Sequence, residues 1–116
     1  LNDDSYHRTF FYAMGICDET RRNINTLFDF KEDGIRPEGL PAAWQTGGTS
    51  RLCRLAFILW NGWTEEGKEQ YSSPYELFDC GFAPYFFEAI WLRYPEYCRN
   101  MERPAPQFSE QLRLQR

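Results

Sequence analysis

The stretch Leu52-Cys53-Arg54-Leu55-Ala56-Phe57-Ile58-Leu59-Trp60, reached through Trp44-Gln45-Thr46-Gly47-Gly48-Thr49-Ser50-Arg51, decides the fold. Thr49 or Ser50 can accept a hydrogen bond from a free N–H of a first helical turn, which makes this a capped helix over about residues 50–61. Asn61-Gly62 ends it, because glycine suits the left-handed position after a helix. Leu52, Leu55, Ala56 and Leu59 share one side, while Phe57, Ile58 and Trp60 fall largely on others. A helix apolar nearly all round is packed from several directions. The expected fold is all-α: a compact orthogonal bundle of five to six short helices around this central apolar helix.

Outward from that segment the helical period recurs. Asn2 or Asp3 can cap a first helix in which Tyr6, Phe10, Ala13, Met14 and Cys17 stand three and four apart. Asp18 reads as a second cap, with Ile24, Leu27 and Phe28 as the buried face that follows. Asp33-Gly34 is a tight-turn signal, and Pro37–Pro41 reads as one helical turn between prolines. Ile35 has no partner segment that alternates well enough to pair with it as a strand. Thr64–Ser72 is polar and reads as an exposed loop. Ser73-Pro74 opens a short helix, Tyr75–Cys80, that Gly81 ends. Pro84 starts another, with Phe87, Ile90, Trp91 and Tyr94 at helical spacings, and Pro95 ends or kinks it. Arg103-Pro104-Ala105-Pro106 marks a boundary, so residues 1–102 form a single helical domain and 103–116 a polar tail, flexible or ordered by a partner.

With 116 residues there is room for one core and not two. Aromatic residues make up 18% of the chain, and each ring buried returns roughly 25 cal/mol per Å² of apolar surface. A core this small cannot absorb them all, so exposed rings are expected to mark a binding surface. The net charge of −4 excludes a general nucleic-acid binder, which needs a basic footprint. Cys17, Cys53, Cys80 and Cys98 form no CxxC or CxxH pair, so they read as reduced thiols and not zinc ligands. No run is long enough to span a membrane and no leader opens the chain, which points to the cytoplasm. The chain starts at Leu1 and not Met, so the sequence leaves open whether an N-terminal segment precedes it.

Two sets of residues carry the functional expectation. Trp44, Trp63, Tyr71 and Tyr75 lie in or beside loops, where rings supply contact area to a protein partner at low entropic cost. Gly47, Gly48, Thr49, Ser50, Arg51 and Arg54 suit an anion: two glycines allow close approach, a helix N-terminus offers N–H groups, and two arginines stand nearly one turn apart. No Walker lysine and no GxGxxG accompany them. His7 is the only histidine, with no nucleophile or orienting acid at a recognisable spacing, and reads as a surface or interface residue. Asp29, Glu32 and Asp33 lack the calcium-loop pattern, and Phe28-Asp29-Phe30 reads as two packed rings with the acid exposed between them. Arg93 is placed to stack on Tyr94 or Tyr97 and to pair with Glu96.

Several phrases occur together: Phe28-Asp29-Phe30 with Ile35-Arg36-Pro37-Glu38-Gly39-Leu40, Trp44-Gln45-Thr46 with Ser50, Arg54-Leu55-Ala56-Phe57 with Leu59 and Asn61-Gly62, and Tyr85-Phe86 with Arg93-Tyr94-Pro95-Glu96-Tyr97-Cys98. From Phe28 to Cys98 the chain resembles a family of small proteins of unknown function from Gram-positive gut bacteria, associated with integrative elements and prophages. The resemblance implies a longer leading helix than this chain shows, no enzyme activity, and no known site residues. It also implies a setting in which small acidic proteins bind and regulate, or inhibit, a host or rival protein.

The expected function is a non-catalytic protein-binding module with no cofactor and no metal. Its partner is another protein or a second copy of the chain, and neither nucleic acid nor membrane. The alternative is a small-ligand module that takes a phosphate or nucleotide at Gly47–Arg54. A nuclease inhibitor competing through Glu65, Glu66 and Glu69 is a special case of the first.

Overall fold

The computed structural model describes residues 4–98. The proposed caps Asn2 and Asp3, the boundary at 103–106 and the tail 103–116 lie outside the described residues. Within them the chain is compact and mostly helical, with six α-helices and little strand. The helices are α1 (Ser5–Gly15), α2 (Asp18–Arg22), α3 (Ile24–Leu27), α4 (Gly47–Asn61), α5 (Pro74–Leu77) and α6 (Phe86–Arg93). Single 3-10 turns stand at Pro37–Gly39, Glu69–Ser72, Ala83–Tyr85 and Pro95–Tyr97.

Helix α4 begins three residues earlier than its sequence suggests. The cap is Thr46, whose Oγ1 accepts from the Thr49 amide at 3.1 Å while Thr49 Oγ1 accepts from the Thr46 amide at 2.8 Å. This reciprocal capping box satisfies two donors at once and draws Gly47 and Gly48 into the first turn. Glycine is costly in a helix interior, but the first turn depends less on intrahelical bonds. At the other end Gly62 takes the left-handed cap at φ 81°, as the Asn61-Gly62 pair indicates.

The long helix expected after Asp18 breaks at Asn23. Cys17, and not Asp18, is the cap residue of α2. Thr20 is buried and donates from Oγ1 to the carbonyls of Met14 (2.6 Å) and Cys17 (3.0 Å), while Arg21 donates to Gly15 O at 2.6 Å. The Met14 and Gly15 carbonyls are ones that the end of α1 leaves open, so these side chains fix the α1–α2 corner.

Ile35 does find a strand partner, and it is Phe28. Strands β1 (Phe28–Asp29) and β2 (Gly34–Ile35) pair antiparallel, Phe28 opposite Ile35 and Asp29 opposite Gly34. Alternation is invisible in strands of two residues, and the turn chemistry decides instead. Asp29 Oδ1 accepts from the amides of Lys31 and Glu32, each at 3.0 Å, and Oδ2 lies 3.2 Å from Arg36 Nη2. The Glu32 amide is the main cause that holds this carboxyl below the usual carboxylate range; burial opposes it, and the Lys31 amide and Arg36 add to the lowering. The two rings pack as expected, Phe28 edge-on to Phe30 at 5.1 Å, but Asp29 between them is half-buried and not exposed, while Phe30 is the exposed ring.

The core is aromatic. Phe10 of α1, Phe28 of β1 and Phe57 of α4 are buried, with Phe10 5.1 Å from Phe28 and 6.3 Å from Phe57 by ring centroids. Trp60 meets Phe10 and Phe28 edge-on at 5.9 and 5.2 Å. Helix α4 packs against α1, α2, α5, α6 and the turn at Glu69–Ser72. Helix α1 touches α4 and α6 far more extensively than those two touch each other. In α6 the fully buried residues are Phe86 and Ala89; of the expected set Ile90 and Tyr94 pack partly buried against the core, while Phe87 is left 70% exposed. All four cysteines are free thiols.

Candidate functional site

The first two turns of α4, the turn at Glu69–Ser72 and α5 border an open pocket of about 210 Å³ lined by Gly47, Ser50, Arg51, Arg54, Tyr71 and Glu76. Four residues of the expected anion set thus meet one of the expected partner-binding rings. The capping box fixes the α4 end. Ser73 fixes the other, its Oγ accepting from the Glu76 amide at 3.3 Å ahead of Pro74 at the first helical position.

Both arginines are committed to carboxylates. Arg51 donates from Nε to Glu76 O at 2.8 Å and from Nη1 to Gly47 O at 3.1 Å, with Nη2 3.4 Å from Glu76 Oε1. Arg54 is only 13% exposed and donates from Nη2 to Glu65 Oε1 at 2.7 Å, beside Lys68 at 3.7 Å from Glu65 Oε2. Its guanidinium lies over the Tyr71 ring at 5.5 Å. The Arg54 hydrogen bond holds the Glu65 carboxyl below its usual range, with the charges of Arg54 and Lys68 adding to it and burial opposing. The pocket rim is therefore close to charge-neutral, and an arriving anion must compete with Glu65 and Glu76 for each guanidinium.

The glycines serve packing. A side chain on Gly48 would meet Phe82 Cε2 at 3.3 Å, so this backbone approaches a ring of the protein itself. Thr49 is buried and spent on the cap and on Gln45 Oε1 at 2.7 Å. What the site keeps for a ligand is the Ser50 hydroxyl, 3.5 Å from Gln45 Oε1, and Arg54 Nη1, a buried nitrogen with no hydrogen-bond partner among the described residues.

The four expected partner-binding rings divide. Tyr71 is 44% and Tyr75 88% exposed, and Tyr75 immediately precedes the pocket residue Glu76. Trp44 and Trp63 are half-buried against the core, Trp63 edge-on to Phe57 at 5.4 Å, because the loops that carry them fold back over α4. Glu66 and Glu69 are exposed while Glu65 is turned inward to Arg54. Phe30, Tyr85, Phe87 and Tyr97 are further exposed rings, none of them in the expected partner-binding set. Phe30 stacks on Phe11 at 5.7 Å, and Phe11, Tyr12, Gly15, Ile16 and Tyr85 line an open depression of about 430 Å³. Helical phase was the available signal for Phe87: once Phe86 and Ala89 point inward, residue 87 points out.

His7 is not a free surface residue. Its two ring nitrogens each lie 2.8 Å from a carboxylate, Asp4 and Asp33. Arg93 stacks on Tyr94 at 4.8 Å as expected, but its Nε and Nη1 turn to Leu59 O and Ser5 Oγ and not to Glu96. Among the described residues no group of three or more His, Cys, Asp or Glu side chains is placed to hold a metal ion, and no helix is long and apolar enough to cross a membrane.

Fold and site together define a small, mostly helical protein with an aromatic core and a neutral, ring-bordered pocket. Residues 1–106 match the family of unknown function DUF6075, and the chain belongs to that family. No curated protein and no solved structure matches it.

Proposed function

We propose that the protein is a non-catalytic protein-binding module whose contact surface centres on Tyr71 and Tyr75. The observation that carries this reading is their exposure beside a pocket whose charges are already neutralised. The core is complete without these two rings, and phenol rings on a fixed turn offer a partner contact area with little loss of entropy. A regulator or inhibitor encoded on a mobile element is the biological role we assign to such a module. The test is capture of a discrete protein from host lysate by wild-type chain and by the Tyr71→Ala, Tyr75→Ala double variant. Loss of about 2 kcal/mol per ring, roughly thirtyfold in affinity, is expected of such anchors. Equal capture by a folded double variant would refute the assignment.

A second reading, a small-ligand module at Gly47–Arg54, is favoured by one feature: the unpartnered, buried Nη1 of Arg54 in a pocket at a helix N-terminus. Thermal unfolding with inorganic phosphate and with ATP separates the two. A ligand at about a hundred times its dissociation constant stabilises by about 2.7 kcal/mol, and the protein-binding reading expects no shift.

A further inference from the structure

His7 joins two elements distant in sequence. Its Nε2 lies 2.8 Å from Asp33 Oδ1, in the turn between β1 and β2. Its Nδ1 lies 2.8 Å from Asp4 Oδ1 at the start of α1. The ring stands edge-on to Trp60 of α4 at 4.9 Å and tilted against Tyr6 at 4.8 Å. Among the described residues it is therefore faced by one carboxylate from α1's start, one from the hairpin turn, a phenol ring from its own helix, and an uncharged indole from α4. Asp33 holds a left-handed φ of 59°, which Asp tolerates better than most residues.

Neutral imidazole has one N–H, and imidazolium has two. Only the doubly protonated ring can present a hydrogen to both carboxylates. Once it loses a proton, one carboxylate faces a nitrogen lone pair. We propose that His7 is a pH-responsive clasp, fastening turn 30–33 to the N-terminal end of α1 through its positive charge when doubly protonated and holding that turn less tightly when it loses a proton. The turn carries Phe30, half-exposed and stacked on Phe11, so the clasp controls how that pair of rings is presented. This inference stands independently of the binding surface at Tyr71 and Tyr75.

The direction follows from the groups around the ring. The Asp33 hydrogen bond, with the charges of Asp33 and Asp4, holds the His7 pKa above its ordinary 6.5 against the opposing effect of partial burial. The clasp's contribution is thus full below 6.5 and lost as pH rises through the folded-state value.

Nuclear magnetic resonance on the full chain tests it between about pH 5 and about pH 8, following the His7 ring proton together with amide exchange at Gly34, Ile35 and Arg36. Protection, corrected for intrinsic exchange, should fall several-fold with the midpoint of the His7 titration. Asp33→Asn should move that midpoint down, and His7→Gln should flatten the protection profile. Protection that stays level through the wild-type His7 titration overturns the proposal. So does a His7 midpoint that Asp33→Asn leaves in place.

Discussion

Arg93 Nε donates to the carbonyl oxygen of Leu59 at 2.6 Å, filling one of the acceptors that the last turn of α4 leaves open. The same guanidinium reaches Ser5 Oγ at 3.3 Å and lies over the rings of Tyr94 and Tyr6 at 4.8 and 5.7 Å. One side chain from the end of α6 thereby ties the end of α4 to the start of α1. A cation at a helix C-terminus is also favoured by the helix dipole. Arg93→Met should lower stability by about 1–3 kcal/mol, the cost of a charged hydrogen bond and an unsatisfied carbonyl. Arg93→Lys should restore only part, because an ammonium lacks the planar fork that bonds and stacks at once. Urea unfolding of the three proteins measures both.

Gly39 approaches α3 closely. A Cβ there would sit 2.3 Å from Thr26 O and 2.9 Å from Leu27 Cδ2, and the first of these is backbone that cannot swing aside. Gly39→Ala should therefore destabilise by about 1–3 kcal/mol, as overpacking does. Gly15, at the end of α1, has open space around it, and Gly15→Ala should be neutral or slightly stabilising. The opposite signs, read by thermal unfolding, check that packing and not glycine content sets the outcome.

Cys53 is fully buried in α4, and burial pushes its thiol up to about 12, with the Gln45 amide opposing weakly. Thiolate is the reactive form, so Cys53 should resist alkylation at neutral pH until the chain unfolds. Cys80 and Cys98 are partly exposed and should label first. Mass spectrometry of timed iodoacetamide reactions gives the order.

The Glu65 carboxyl lies below its ordinary 4.5, chiefly through Arg54. A carboxyl lowered by folding contributes stability that is full above its unfolded value and lost as pH falls through the folded one. Acid unfolding of Glu65→Gln should accordingly show a shallower loss of stability below 4.5 than the wild type. The same variant frees Arg54 and should raise any affinity of the pocket for phosphate.

Much of the fold was legible where apolar period and punctuation agree. The body of α4, its Gly62 stop, the Ser73-Pro74 start and the Pro37–Gly39 turn all follow from local chemistry. The hairpin was not, since strands of two residues hold no alternation and the Asx turn at Asp29 is set by its own side chain. At α6 Ile90 and Tyr94 face the core as their spacing suggests, while of the adjacent rings Phe86 and Phe87 it is Phe86 that is buried and Phe87, the one the spacing selects, that is exposed. In the site, Tyr71 and Tyr75 lie outside as their loop position suggests, while Trp44 and Trp63 fold back onto the core. Glu65 and Glu76 lie far along the chain from the arginines they neutralise, so no local motif announces those pairs.

The central claim, a protein partner at the Tyr71–Tyr75 surface, is tested most directly by photocrosslinking in the host cell. Benzoylphenylalanine placed at position 75 should yield one discrete covalent adduct, and the same group at exposed Asn25 on α3 should yield none. The adduct should disappear when Tyr71→Ala is added. No adduct from position 75, or the same adducts from both positions, would contradict the account.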